Sequence, residues 1–213
     1  MPKAESAAPS LREQQREFTR ERLIQGALKV FAHKGYVAAT ADDIAAAAGA
    51  SRATFYLHFR NKQDIIAELG ARMIPEVQRF YSELDDLLDR GSRDDFRDWM
   101  RRAVQWLEAN RVAISASIAA QVVEGPMPDR ATMRLVDQMP KYLASWPKGR
   151  EHQARVRIAL LATQFRAAFA FLLAAPEVRR TITDEELVEV MTDVWIAGLK
   201  PPGAATRYPK PPR

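Results

Sequence analysis

Residues 40–62 read TADDIAAAAGASRATFYLHFRNK, and the reading of this stretch decides the fold. Thr40 with Asp43 has the spacing of a helix cap and its third-position partner. That predicts a short helix through Ile44 to Ala48, closed by Gly49, whose missing Cβ admits the positive φ of a tight turn. Ser51 then caps a second short helix, from Arg52 to about Phe59. Ile44 and Ala48 face inward on the first helix, and Ala45 is small where the second must cross close by. Phe55 and Phe59, four residues apart, anchor the second helix on its inner side. Arg52, Ala53, Thr54, Tyr56 and His58 are left pointing outward or along the edge. A short helix with such a surface, held across another, is the helix-turn-helix arrangement that enters a major groove.

Outward from this pair the pattern stays helical. Upstream, Leu23, Ile24, Ala27, Leu28 and Phe31 form one helical stripe, ended at Gly35. Downstream, Asn61 with Asp64 opens a helix through Ile65, Ile66, Leu69, Met73 and Val77 toward Leu88, with Pro75 expected to kink it. Ser92 caps a helix to about Ala109, residues 111–124 form another, and residues 129–146 a third that breaks near Pro140. Residues 151–175 are long and apolar, and a Thr183–Glu186 capping box opens the last helix, to about Leu199. Period-two alternation is missing, so the fold class is all-α. The expected boundaries are a flexible arm over 1–18, a helix-turn-helix domain over 19–62, a helical body over 63–200, and a disordered Pro-rich tail over 201–213.

The residue types suit a polyanion. Thr40 and Ser51 each place a hydroxyl at a helix N-terminus, where free N–H groups and the dipole favour an anion. Tyr56 and His58 donate to phosphate oxygens, and Lys62 sets a cation beside the backbone. Arg52 suits a bidentate contact to guanine, and Thr54 a base edge or thymine methyl. Charge agrees in location more than in amount. The 213 residues carry 32 Lys+Arg against 27 Asp+Glu, a net +5, and residues 1–62 hold ten of the cations and six of the acids.

Other chemistries are excluded or unsupported. Without Cys there is no disulfide framework or thiolate site. The three His lack metal-ligand spacing, so no metal and no cofactor are expected. The glycines are too far apart for a phosphate-cradling loop, and Asp85-Asp86 and Asp94-Asp95 read as solvated helix faces rather than catalytic pairs. The chain is read as a non-enzyme. The N-terminus has no apolar core of a secretory signal, and no apolar run is long enough to span a membrane, so a cytoplasmic location is expected.

Phe31, Gly35, Tyr36 and Thr40, then Ile44-Ala45, Gly49 and Ser51, then Phe55-Tyr56, His58-Phe59 and Lys62 together resemble the DNA-binding region of the tetracycline-repressor-like (TetR) family of bacterial transcription regulators. The likeness covers roughly residues 20–66. It implies an all-α homodimer of about nine helices, with an N-terminal three-helix domain on double-stranded, palindromic operator DNA. It also implies a C-terminal domain for dimerisation and for a small-molecule effector that releases a repressor from its operator. The DNA contacts then fall on Thr40, Ser51, Arg52, Ala53, Thr54, Tyr56, His58 and Lys62. Removing the Tyr56 hydroxyl or the Lys62 amine is expected to weaken operator binding with little loss of fold. The alternative is an all-α ligand-binding or enzymatic protein without a DNA role.

Two further sets of residues follow from the C-terminal pattern. Trp99, Ala103, Trp106 and Leu107 share a helical face. With Met133, Val136, Trp146, Phe165 and Phe169 they either line an apolar cavity suited to a hydrophobic or aromatic ligand or form plain core. Val156, Leu160, Thr163, Ala167 and Phe171 form one stripe, with Leu187, Met191, Val194 and Trp195 on the last helix. Helices apolar over so wide an arc bury one face on their own core and another on a partner, or else fill a single larger core.

Overall fold

The computed structural model describes residues 10–125 and 135–201, and every regular element among them is helical. In chain order these are α1 (Leu11–Ala38), α2 (Ala41–Ala47), α3 (Arg52–His58), α4 (Lys62–Arg90), α5 (Arg93–Ala109) and α6 (Arg111–Glu124). A 3-10 turn (Val136–Gln138) is followed by α7 (Pro140–Ala144), α8 (Glu151–Ala174), α9 (Pro176–Arg180) and α10 (Asp184–Leu199). Two compact units result. The first holds the chain up to Gly70 together with Ser115–Glu124, and the second holds Ala71–Ile114 and the chain from Gly125 on.

In the first unit, α1 starts eight residues before the expected boundary at residue 19. Ser10 caps it, accepting from the Glu13 amide while the Glu13 carboxylate accepts from the Ser10 amide. The part of the 1–18 arm from Leu11 on is therefore helix, and residues 1–9 lie outside the described residues. Gly35 takes φ +76° inside α1 and breaks its regular run before Tyr36. Gly49 makes the α2–α3 turn at φ +62°. Leu23, Ile24, Ile44, Phe55 and Ile65 are completely buried, so one core holds all four helices. The close crossing lies at Gly26 as much as at Ala45. A β-carbon on Gly26 would sit 2.9 Å from the Ile44 carbonyl oxygen and 3.0 Å from the Ala48 nitrogen.

The second unit is built around aromatic rings. Trp99 packs on Phe80, Phe96 and Trp195, and Trp195 on Phe165, with centroids 5.5–6.2 Å apart. Three arginines of α5 meet three acids of antiparallel α10: Arg93 pairs with Asp193 and Glu189, Arg97 with Glu189, and Arg101 with Glu185. Asp85 is not a solvated residue. It is buried, and its carboxylate accepts from the Lys141 and Tyr142 amides at 3.1 and 2.7 Å, holding the first turn of α7. The helix expected over 129–146 breaks near Pro140 as its sequence suggests, with Met139 between the 3-10 turn and α7. Pro140, which cannot donate a backbone hydrogen bond, starts α7. Residues 126–134 lie outside the described residues, as do residues 202–213 of the expected tail.

Candidate nucleic-acid interface

The helix-turn-helix presents α3 with one side locked and the other open. Phe55 and Phe59 are buried, their ring centroids 6.0 Å apart. Arg52, Ala53, Tyr56 and Leu57 are exposed, and Thr54 and His58 are half-buried. A seven-residue helix is too short to hold itself, so the two phenylalanines give α3 its place. Tyr56, half exposed, stands edge-on to Phe55 at 5.3 Å, which leaves its hydroxyl outward.

Ion pairs already occupy part of this surface. The Arg52 guanidinium donates to Asp42 at 2.7 Å and lies 5.6 Å from the Tyr56 ring centroid. Both partners of that pair are well exposed, so it contributes little and a phosphate can replace it. The Asp43 carboxylate lies at the start of α2, paired with Lys34 and accepting from the Thr40 hydroxyl and amide. Lys34 first, and Thr40 after it, holds Asp43 down to about 2. The anion position that the sequence offers at Thr40 is thus filled by the chain's own carboxylate. The Ser51 Oγ accepts from the Thr54 amide at 3.0 Å, and the two hydroxyls lie 2.8 Å apart.

Lys62 differs from its expected setting. Its Nζ donates to the carbonyls of Tyr36, Val37 and Ala39 at 2.8, 3.1 and 3.1 Å and sits 4.4 Å from the Tyr36 ring centroid. All three ammonium donors are engaged at the end of α1, so this residue braces the unit. Tyr36 is buried there, and its hydroxyl donates to Glu124 at 2.7 Å. Burial, and then Glu124, raises its phenol well above the usual range.

His58 faces α1. Its carbonyl accepts from Arg20 at 2.8 Å, while its Nδ1 is buried without a hydrogen-bond partner. Burial, then Arg16 and Arg20, lower the imidazole's pKa, against a smaller opposite effect of Glu17. Two exposed residues were not anticipated. Leu57 is 77% exposed, and Arg60, clasped by Asp64 at 3.1 Å, keeps most of its side chain in solvent. An apolar residue between two outward positions of a reading helix was the available signal for Leu57.

The C-terminal sets are partly brought together. Val156, Leu160, Thr163, Ala167 and Phe171 are all exposed along one side of α8, and Val194 is exposed on α10. Leu187 and Trp195 leave that face, because they are buried in the chain's own core, and Met191 is half-buried. Val190, 59% exposed, stands one turn from Val194 instead. Of the cavity set, Trp99, Ala103, Leu107, Val136, Trp146 and Phe169 are buried, while Trp106 and Phe165 are half-buried. Met133 lies outside the described residues. The Nε1 atom of Trp106 and the hydroxyl of Thr192 are buried with no hydrogen-bond partner, while the Tyr142 hydroxyl and the Trp146 indole are buried against each other. Among the described residues no group of His, Asp and Glu is arranged to hold a metal ion, and no helix is long and apolar enough to cross a membrane.

Comparison with known proteins bears on this geometry. Residues 23–69 match the family model of bacterial regulatory proteins of the tetR family. The HTH-type transcriptional regulator SrpR of Pseudomonas putida is 38% identical over 94 residues, which is 44% of this chain and 40% of that protein. The chain therefore spans less than two thirds of this relative. Among solved structures, NalD of Pseudomonas aeruginosa, the secondary repressor of the MexAB-OprM multidrug efflux pump, has the same fold. It aligns with a TM-score of 0.57 and 18% identity, over 87% of this chain and 97% of its own. The repressor SmeT of the Stenotrophomonas maltophilia multidrug efflux pump SmeDEF aligns with a TM-score of 0.52 and 19% identity, over 90% of this chain and 97% of its own.

Proposed function

We propose, from the match of residues 23–69 to the family model of bacterial regulatory proteins of the tetR family, that this chain is a sequence-specific DNA-binding repressor released from its operator by a small molecule. The observation that carries the reading is the two-sidedness of α3. Phe55 and Phe59 fix it from within, and Arg52, Ala53, Tyr56 and Leu57 are exposed on the side that would meet bases and phosphates. Arg52 exchanges Asp42 for a guanine edge or a phosphate, Thr54 and Leu57 meet thymine methyls or base edges, and Tyr56 and His58 donate to phosphate oxygens. Ala53 permits close approach. Thr40 and Ser51 hold the ends of α2 and α3 against the backbone, and Lys62 supports the corner from behind.

One reading head covers one half-site, so a palindromic operator calls for two copies. The apolar stripe Val156, Leu160, Thr163, Ala167 and Phe171 on α8, continued by Val190 and Val194 on α10, supports a homodimer with these helices at its centre. The unpartnered indole and hydroxyl groups inside the second unit support an effector that is largely apolar or aromatic with one or two polar atoms. No catalytic role is assigned, and the cytoplasm is the place of action.

The test is fluorescence anisotropy on duplexes tiling the DNA upstream of the protein's own coding sequence. Sequence-preferring binding that falls about tenfold in each of Arg52→Ala and Tyr56→Phe, both retaining the helical signal, is expected. Binding with no sequence preference at moderate salt, or unchanged in both variants, refutes the assignment.

A further inference from the structure

Arg22 is a cation of the first unit that the DNA reading just given does not use. It lies on α1, and its guanidinium donates to the Ala48 carbonyl at 2.5 Å and, more weakly, to the Gly49 carbonyl at 3.4 Å. These two residues form the corner between α2 and α3. The corner closes part of its backbone itself: the Gly49 amide donates to Ala46, and the Ala50 amide to Ala45. Ala48 is buried, and a buried carbonyl left without a donor is costly. Arg22 therefore completes the hydrogen bonding of the corner. Its guanidinium also fills the space over Gly49, where a β-carbon would lie 2.7 Å from Nη2. A side chain at position 49 is thus opposed by the φ of +62° and enters only if the guanidinium moves away.

We propose that Arg22 is a positioning residue for sequence recognition, which fixes the corner leading into α3 instead of binding a phosphate. This inference rests on the DNA-binding reading above. α3 has seven residues and cannot hold itself. Phe55 and Phe59 bury its inner side, and Arg20 donates to the carbonyl of His58, its last residue, at 2.8 Å. Arg22 fixes the opposite end. With that end released, α3 pivots on its two rings, and Arg52 and Ala53, nearest the corner, shift most. Base edges are read only from closely held side chains, whereas attraction to the phosphate backbone tolerates such a shift. Loss of Arg22 therefore erodes discrimination between sequences and spares non-specific affinity. A phosphate contact behaves oppositely: its loss weakens binding about equally on every sequence and lowers the salt slope.

The experiment is fluorescence anisotropy of the full chain on its preferred duplex and on a scrambled duplex of equal length, over a range of salt concentrations. It compares the wild type with Arg22→Met, Arg22→Lys, Gly49→Ala and the Arg22→Met, Gly49→Ala double variant, each confirmed as folded by its helical signal. Arg22→Met is expected to bind the preferred duplex about tenfold more weakly and the scrambled duplex within about twofold of the wild type, with an unchanged salt slope. Arg22→Lys still donates to the corner and is expected to recover most of the lost preference. Gly49→Ala keeps the positive charge but displaces the guanidinium. It is expected to lose preference as Arg22→Met does, and the double variant to lose little more than either alone. Equal weakening on both duplexes, or a salt slope lowered by about one, overturns the positioning role and leaves the regulator reading intact. So does an unchanged preference in Arg22→Met, or additive losses in the double variant. If Arg22→Met does not fold, Gly49→Ala decides alone: a preference equal to the wild type's overturns the positioning role. A wild type with no sequence preference overturns the regulator reading, and this inference with it.

Discussion

Lys62 is the residue whose replacement separates a brace from a DNA contact. Lys62→Met keeps the aliphatic stem and removes the ammonium. The carbonyls of Tyr36, Val37 and Ala39 then lose a charged donor at 2.8–3.1 Å, and the Tyr36 ring loses its cation at 4.4 Å. Water can take over at exposed Val37, which leaves the two part-buried carbonyls as the main loss. At about 1.5 kcal/mol for each charged hydrogen bond, with a small addition from the ring contact, the expected cost is about 3 kcal/mol. For a chain of this size that is a fall of about 6–12 °C in melting temperature. The assay pairs thermal melts followed by circular dichroism with the salt dependence of operator binding. The expected result is a large fall in stability, faster amide exchange around Tyr36–Ala39, and a salt slope unchanged once the folded fraction is accounted for. A melting temperature within about 2 °C of the wild type, with a salt slope reduced by about one, would refute the bracing role and return Lys62 to a phosphate. The three engaged donors argue against the expectation that this lysine can be removed with little loss of fold.

Three further outcomes follow from the geometry. Gly26→Ala sets the helix propensity gain of about 1 kcal/mol against a β-carbon 2.9 Å from the Ile44 carbonyl oxygen, a backbone atom that moves only with its helix; since overpacking costs roughly 1–3 kcal/mol, chemical denaturation should show net destabilisation, and a gain in stability would contradict the close crossing. Leu160→Glu combined with Phe171→Glu should give a folded monomer by light scattering, because both side chains are already exposed in the single chain; an unchanged dimer mass would place the interface elsewhere. Asp43 is held at about 2, well below its ordinary value near 3.8, so the stability it lends is full above about pH 4 and lost as the pH falls through its folded value; the denaturation midpoint of Asp43→Asn should lack that part of the wild-type decline, and parallel profiles would refute the Lys34–Asp43–Thr40 arrangement.

How much of this was legible in the sequence depends on whether a feature is local. Thr40, Ser51, Ser92 and Thr183 cap their helices as the spacing predicts, because a cap is settled within four residues. Phe55 and Phe59 are buried and α8 runs over Glu151–Ala174, since helical periodicity alone decides those points. The start of α1 was also local. Ser10 and Glu13 have the capping-box spacing, but the polar first turns carry no apolar stripe to draw attention to them. What periodicity does not tell is which neighbour covers an apolar face. Leu187 and Trp195 are as apolar as Val190 and Val194, yet the chain's own core buries the first pair, Trp195 against Trp99 of α5 and Phe165 of α8, and leaves the second exposed. Gly26 likewise looks like an unfavourable residue within a helix until another backbone is brought against it. Lys62 is a lone cation in sequence, and only the fold returns the end of α1 to its ammonium.

The net charge of +5 takes its meaning from the same non-local pairing. The first 62 residues hold ten cations, but several already have partners. Lys34 is paired with Asp43, Arg52 with Asp42, Arg20 with Glu68, and Lys62 with three carbonyls. These arrangements are not equivalent before a phosphate. Arg52 and Asp42 are both well exposed, so exchanging one anion for another costs little. Lys62 and Arg20 hold the fold itself and exchange only at its expense. Arg16, with no ion pair among the described residues, needs no exchange at all. The cations available to DNA are therefore those at the outer edge of α3 and on the early turns of α1, and the rest of the basic count serves to keep α3 where those cations can act.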